Sequence, residues 1–454
     1  MDIDTASHQS PPTPPLRSGA AARFTRWLPP VLIILASLLV GIVHVPQHNA
    51  ISPIDEYVYI DYYAKVLDQG VVRQGEEVGH YARQELGCRG LRILAPAPDD
   101  RCSPAIADDD ARFPMGGITS ADIYTPLYFG VTRVVAQPLL WLGITDSLTQ
   151  AGRFAGVFWL AAAGLCLFYA LRRLKIGPWA GTGITLLLVG SMPAYWFNTY
   201  ISTDAPTMFA GALLALLTVR YLQGAGSGWW LVLAAPLITL LKFQNVAVIG
   251  AVALTLVFAA FAASAGPFWT RLRGTILHKH TRFAALAVVA AVLAQGAWTV
   301  VRALISLGPS PDQGTANDYS LHALLNLMFK YLPGSGAGVD ATSTGAMIVT
   351  NLAVWIAVAG VLGLVVTAKP GTLKASFAYG TLLMALLIGP LLATAVRIST
   401  GYYFSLPERY GLSLFPLFLI AAAVFVQQTG RRAPVAVLGA LGVVSYAAML
   451  TVPS

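Results

Sequence analysis

The run TPLYFGVTRVVAQPLLWLG, residues 125–143, sets the direction of every segment after it. It is apolar, yet Arg133 and Pro138 interrupt it. If it crossed the bilayer, the following run AGRFAGVFWLAAAGLCLFYALRRLK would travel outward and leave Arg172, Arg173 and Lys175 outside. Cytoplasmic flanks carry the excess of Lys and Arg. The charge bias therefore predicts that 125–143 is a juxtamembrane helix lying along the outer surface.

Composition agrees with a membrane chain. Hydrophobic residues make up 56% and charged residues 11%, a balance outside the range of soluble domains. Runs long enough to cross roughly 30 Å of hydrocarbon recur throughout. The expected fold class is an all-α polytopic membrane protein. The net charge of +8 reflects cations between the spans and does not call for nucleic acid. Residues 1–26, rich in Pro, Ser and Ala, read as a disordered cytoplasmic tail. Arg17, Arg23 and Arg26 precede a run from Trp27 that is too long for the core of a cleaved signal peptide. The N-terminus is then inside, and 27–454 form one transmembrane domain.

The later charges alternate accordingly. Spans fall at about 178–197 and 205–221, and two short apolar pieces flank the polar group at 242–245. Arg271, Arg273, Lys279 and Arg282 mark an inner linker before a span from about Phe283. An outer loop holds Asp312, Asp318, His322 and Lys330. Further spans start near Met347, Ala375, Leu412 and Ala433, with Lys369, Lys374, Arg431 and Arg432 inside. The total is about eleven, with the C-terminus outside.

The largest polar segment is the first extracytoplasmic loop, 47–123. Loops of this length are usually functional or disordered. It contains Cys88 and Cys102, whose pairing would close a loop of about 15 residues and add roughly 3 kcal/mol in an oxidising compartment. Two unpaired thiols are the alternative. The loop opens with SPIDEYVYIDYYAKVLDQG from Ser52. Ser52 and Pro53 suit a helix start, acids there meet the positive end of the helix dipole, and Gly70 suits its end. Asp55 and Glu56 could therefore serve only as helix-end charges. Adjacent helical positions point about 100° apart, so the two acids cannot face one target equally. Asp55 shares a face with Tyr59 and, less closely, Tyr62 and Tyr63. Those tyrosines fit either a site for hydroxylated ligands or ordinary interfacial anchors.

An Asp-Glu pair on a surface helix after the first span, followed by YTPLYF at 124–129, resembles the GT-C superfamily of polytopic glycosyltransferases that use lipid-linked sugars. TDAP at 203–206, the short spans around Lys242 and the late ERY at 408–410 fit the same pattern. The resemblance covers most of the chain as an architecture. It departs from the family at Thr125-Pro126 before the PLY element and in having no large periplasmic C-terminal domain. It implies inverting transfer of a sugar from a polyprenyl-phosphate donor to the hydroxyl of a cell-envelope glycan, lipid or protein acceptor.

In that reading Asp55 is the base and Glu56 the second catalytic candidate, since a positioned carboxylate can take the acceptor proton. Lys242, Arg409 and Arg397, each near an outer boundary, are the donor-phosphate ligands, because fixed cations stabilise the departing phosphate. Tyr59, Tyr124 and Asp204 are substrate-binding candidates. Plainer roles compete. Lys242 could snorkel from a helix end, Arg409 could bridge Glu408 or another acid, Arg397 could be a boundary residue, and Asp204 could cap a helix near Pro206. His80, His322 and Asp108–Asp110 read as solvated. No Cys/His cluster has zinc-like spacing and no phosphate-cradling GxxxxGK[ST] motif is present. No cofactor is indicated, and a divalent cation beside the acids is left open. A transporter or lipid flippase of envelope glycans is the competing class, but such proteins place ionisable groups near the midplane.

Overall fold

The computed structural model of the chain describes residues 19–91, 102, 107–110, 113–311, 317–332 and 343–453, without the side chains of 19–26, 399 and 400. Most of the expected tail, and Asp312, lie outside the described residues. Among the described residues the regular structure is helical, with no strand. The helices are α1 (Gly19–His44), α2 (Glu56–Lys65), α3 (His80–Arg89), α4 (Pro126–Trp141), α5 (Leu148–Arg173) and α6 (Pro178–Val189). Then follow α7 (Met192–Asn198), α8 (Thr207–Leu222), α9 (Trp229–Leu241), α10 (Val246–Ala263), α11 (Phe268–Leu277) and α12 (Lys279–Leu304). The last five are α13 (Leu321–Lys330), α14 (Thr344–Thr367), α15 (Leu373–Thr400), α16 (Phe415–Gln427) and α17 (Arg432–Leu450).

Eight helical segments among the described residues are long and apolar enough to cross a membrane, and the shorter apolar helices α6, α8 and α9 accompany them. The chain is a multi-pass membrane protein. α4 belongs to neither group. Its start follows the local sequence: Thr125 accepts a hydrogen bond from the Leu127 amide, and Pro126 occupies the first turn, where its missing N–H costs nothing.

α5 packs along α8 and α1, α6 along α17, α9 along α12, and α10 between α12 and α15. Close approaches rest on glycine. A methyl group at Gly156 of α5 would lie 2.4 Å from the Asn198 carbonyl oxygen. A second buried cluster sits beneath the first loop, where Tyr57, Tyr59, Tyr62 and Tyr63 join Phe129 and Trp159. Tyr62 stacks on Phe129 with centroids 4.1 Å apart. These tyrosines are core residues rather than interfacial anchors.

Several boundaries differ from the sequence reading. α1 begins at Gly19, inside the stretch expected as tail. The expected span at 178–197 breaks into α6 and α7, because Ser191 caps a new start with Pro193 in its first turn. α2 covers Glu56–Lys65 rather than running from Pro53 to Gly70. The Ser52 hydroxyl accepts the Ile54 amide instead of capping α2. In the first loop α3 carries Cys88, which the structure joins to Cys102 with Cα atoms 4.4 Å apart.

Candidate functional site

The entry to α2 is held from inside by one arginine. Arg153 of α5 places Nε 2.9 Å from Glu56 Oε1 and Nη2 2.9 Å from Oε2. It also donates to the carbonyls of His48 at 2.6 Å and Ala50 at 2.9 Å. Glu56 accepts two amides as well, Ser52 at 2.8 Å and Ile201 at 2.9 Å. Both side chains are fully buried, and the guanidinium lies 4.9 Å from the Tyr200 ring centroid. A buried pair survives only when geometry and further hydrogen bonds offset its desolvation, and here each of the three guanidinium nitrogens donates to at least one oxygen. Glu56 is thus a structural clamp joining α2, α5 and the segment after α7. Its assignment as a second catalytic acid is corrected on that ground, since both its oxygens are occupied and no solvent reaches them.

Asp55 does something different. Its backbone is left-handed, with φ 59°, and its side chain caps nothing on α2. Asp tolerates this region better than most residues, yet such conformations cost energy and cluster at functional sites. The helix-cap role weighed from the sequence is not the one it has. Its carboxylate is 46% exposed and lies 2.9 Å from Arg409 Nη2.

Arg409 sits in the 3-10 turn Glu408–Leu414 that leads into α16. Its Nε also lies 3.4 Å from Asp204 Oδ2, so it spans two acids and does not bridge Glu408. Asp204 pairs in turn with Lys242. Both are 1% exposed, which replaces the capping role for Asp204 and the snorkelling role for Lys242. Asp204 does not cap α8, which begins without a side-chain cap. Lys242 occupies the break between α9 and α10, where the chain is extended. The break is satisfied locally: the Asn245 side chain donates to the Ile238 carbonyl at 3.0 Å, and Thr125 donates to that of Leu240 at 2.5 Å. The second bond ties the start of α4 to the break that presents Lys242.

Hydroxyl groups complete the cluster. The Tyr59 hydroxyl lies 3.1 Å from that of Tyr124 and 3.5 Å from Asp55 Oδ2, and it receives a bond from Thr203 at 3.3 Å. Burial, together with the neighbouring hydroxyls and carboxylates, holds both Tyr59 and Tyr124 well above the ordinary tyrosine value. They are neutral donors at any working pH. The Tyr410 ring centroid stands 5.6 Å from Lys242 Nζ.

Asp55, Tyr59, Tyr124, Asp204, Lys242 and Arg409 therefore converge from parts of the chain far apart in sequence. Two carboxylates alternate with two cations, and Asp55 is the most exposed of the four charges. The arrangement places a solvent-facing carboxylate beside one fully buried cation, Lys242, and one partly buried cation, Arg409. Arg397 is not brought to it; that side chain is exposed at the end of α15 and binds the Gly401 carbonyl. Among the described residues no three His, Cys, Asp or Glu side chains group so as to hold a metal ion.

Sequence reasoning passed over Arg153. The signal was present: a lone cation inside the apolar run of α5, a position that is costly and calls for a partner. It also passed over the strap that carries Tyr124. Arg302 of α12 pairs with the buried Asp122 at 2.6 Å, and Trp298 donates to the Ile123 carbonyl at 3.0 Å. No model of a known protein family matches the chain, and no curated protein matches it.

Proposed function

We propose that this is a GT-C-like membrane glycosyltransferase. It moves a sugar from a polyprenyl-phosphate donor to an acceptor hydroxyl on the extracytoplasmic side, with inversion. The observation that carries the reading is the single cluster in which a half-exposed Asp55 meets Arg409, Asp204 and Lys242.

The chemistry follows from the charges. The acceptor oxygen attacks the anomeric carbon, its proton passes to the Asp55 carboxylate, and the carbon–oxygen bond to phosphate breaks with its electron pair on the phosphate oxygen. Arg409 and Lys242 meet that growing negative charge where water is scarce, so their field is strong. Asp204 holds both cations in place before the donor arrives. The neutral hydroxyls of Tyr59 and Tyr124 donate to the sugar or the phosphate. General-base assistance contributes about 10²–10⁴-fold in rate.

In the accompanying topology the eight long and three short apolar helices all cross the plasma membrane, giving about eleven spans. The N-terminus is cytoplasmic, and α4 lies on the outer surface. The test is a cell-free transfer assay with labelled polyprenyl-phosphate sugars and the purified full chain. Transfer that disappears in Arg409→Gln, with the variant still folded, supports the reading. Absence of transfer from a panel of hexosyl and pentosyl donors, with lipid translocation in vesicles instead, would replace it by the flippase alternative.

A further inference from the structure

A second feature lies at the opposite end of α5 from Arg153. α5 is 26 residues long, or about 39 Å at 1.5 Å per residue, so its Arg173 end is remote from the cluster around Asp55. There a groove of about 840 Å³ opens between α1, α6 and α17. Leu32 and Trp179 line it together with the small residues Gly439 and Ala440, and the small side chains leave room that larger ones would fill. Its walls are apolar, but Lys175, Arg431 and Arg432 stand along it, all three exposed. No acidic residue is among the described residues that line it.

Two helix starts add to the same field. α6 begins after Gly177 and α17 after Arg431, and neither start has a side-chain cap. Helix N-termini favour anions. An apolar trough that ends in three cations and two helix starts has the form of one ligand class, an apolar chain with an anionic head. Basic pockets between membrane helices hold lipid headgroups in this way.

We infer that this groove binds an anionic glycerophospholipid, its phosphodiester between Lys175, Arg431 and Arg432 and an acyl chain along α6 and α17. Cations at a cytoplasmic flank would arise from topology alone. Topology, however, requires no trough between them, and this difference sets the test. The site does not depend on the reaction assigned to the other end of the bundle.

Native mass spectrometry of the detergent-solubilised full chain, titrated with an equimolar mixture of phosphatidylglycerol and phosphatidylcholine, reads the preference directly. The wild-type chain is expected to retain phosphatidylglycerol about ten-fold or more over phosphatidylcholine. The combined variant Lys175→Gln, Arg431→Gln, Arg432→Gln should lose that preference. Ala440→Trp keeps every cation but fills the trough, and it should lose it too. Equal retention of the two lipids by the wild type, a measurement that needs no variant, overturns the inference. So does a preference that survives in folded Ala440→Trp, which would assign the effect to topological charge.

Discussion

At the scale of single residues, the two adjacent acids of the first loop divide their labour through backbone geometry. Glu56 is the first residue of α2 and is locked against Arg153, while Asp55 precedes it in a left-handed turn and stays half exposed. Their substitutions should fail in different ways. Asp55→Asn keeps the side chain's shape and its tolerance of the left-handed region, so the variant should fold normally and lose about 10²–10⁴-fold in transfer rate. A folded Asp55→Asn protein with the wild-type rate removes Asp55 from the chemistry. Glu56→Gln leaves Arg153 as an uncompensated buried charge, a change that costs about 3–5 kcal/mol. Its expected signature is a lowered melting temperature in detergent. Unchanged melting with lowered activity would return Glu56 to the catalytic group.

Between elements, the first loop is tied together by charges whose balance depends on pH. Lys65 bridges Asp61 and Glu76, each at 3.0 Å. Burial opposes ionisation of Glu76, but hydrogen bonds from Gln69, the Arg73 amide and Lys65 outweigh it and hold the carboxyl below its ordinary 4.5. Its contribution to stability is present above that ordinary value and is lost as pH falls through the lowered one. Burial raises Asp61 despite Lys65 and the Gly79 amide, so Asp61 acts in the opposite sense, its cost easing on acidification. Glu76→Gln largely separates the two, because Asp61 titrates in both proteins and the Glu76 charge is the smallest of the influences on it. The fall in melting temperature between neutral pH and the region below 4.5 should be larger for the wild type than for Glu76→Gln. Equal falls would show that Glu76 carries none of the acid sensitivity.

The elements also show what a sequence can and cannot disclose. Apolar length and flanking charge placed the long helices, and the interrupted run bounded at Thr125 holds α4, which starts at Pro126, because those signals are local. The six residues that converge were each singled out in the sequence, Lys242 and Arg409 as cations near a boundary, Asp55 and Tyr59 on one face of the first-loop helix, and Tyr124 and Asp204 in motifs of the resemblance. What assembles them was hidden, since the Glu56–Arg153 bond joins positions 97 apart in sequence and neither residue's neighbours name its partner. Arg397 misled for a different reason. A boundary position is shared by many cations, and this one is exposed and bonds the Gly401 carbonyl four residues on, just past the end of α15.

Across the whole molecule, the orientation of the bundle decides which side of the membrane each site faces. α4 is short, carries Arg133 and Pro138, and is packed against α2, α5 and α9. If the N-terminus is cytoplasmic, α5, which begins beside the first loop where Arg153 meets Glu56, starts on the outer side and ends with Arg172 and Arg173 inside. The cluster around Asp55 then faces outward, where a lipid-held donor can meet an acceptor, and the basic groove faces the cytoplasm. If the N-terminus lies outside, both assignments invert and every cation changes side, against the charge bias. Two positions flanking α5 decide the matter: Asp146 in the exposed turn before it, and Arg173 at its end, also exposed. With Cys166, the free thiol, replaced by serine, Asp146→Cys should react with an impermeant maleimide in intact cells. Arg173→Cys should react only after the membrane is opened. Ready labelling of Arg173→Cys from outside would turn the molecule over, and the outward-facing donor site would go with it.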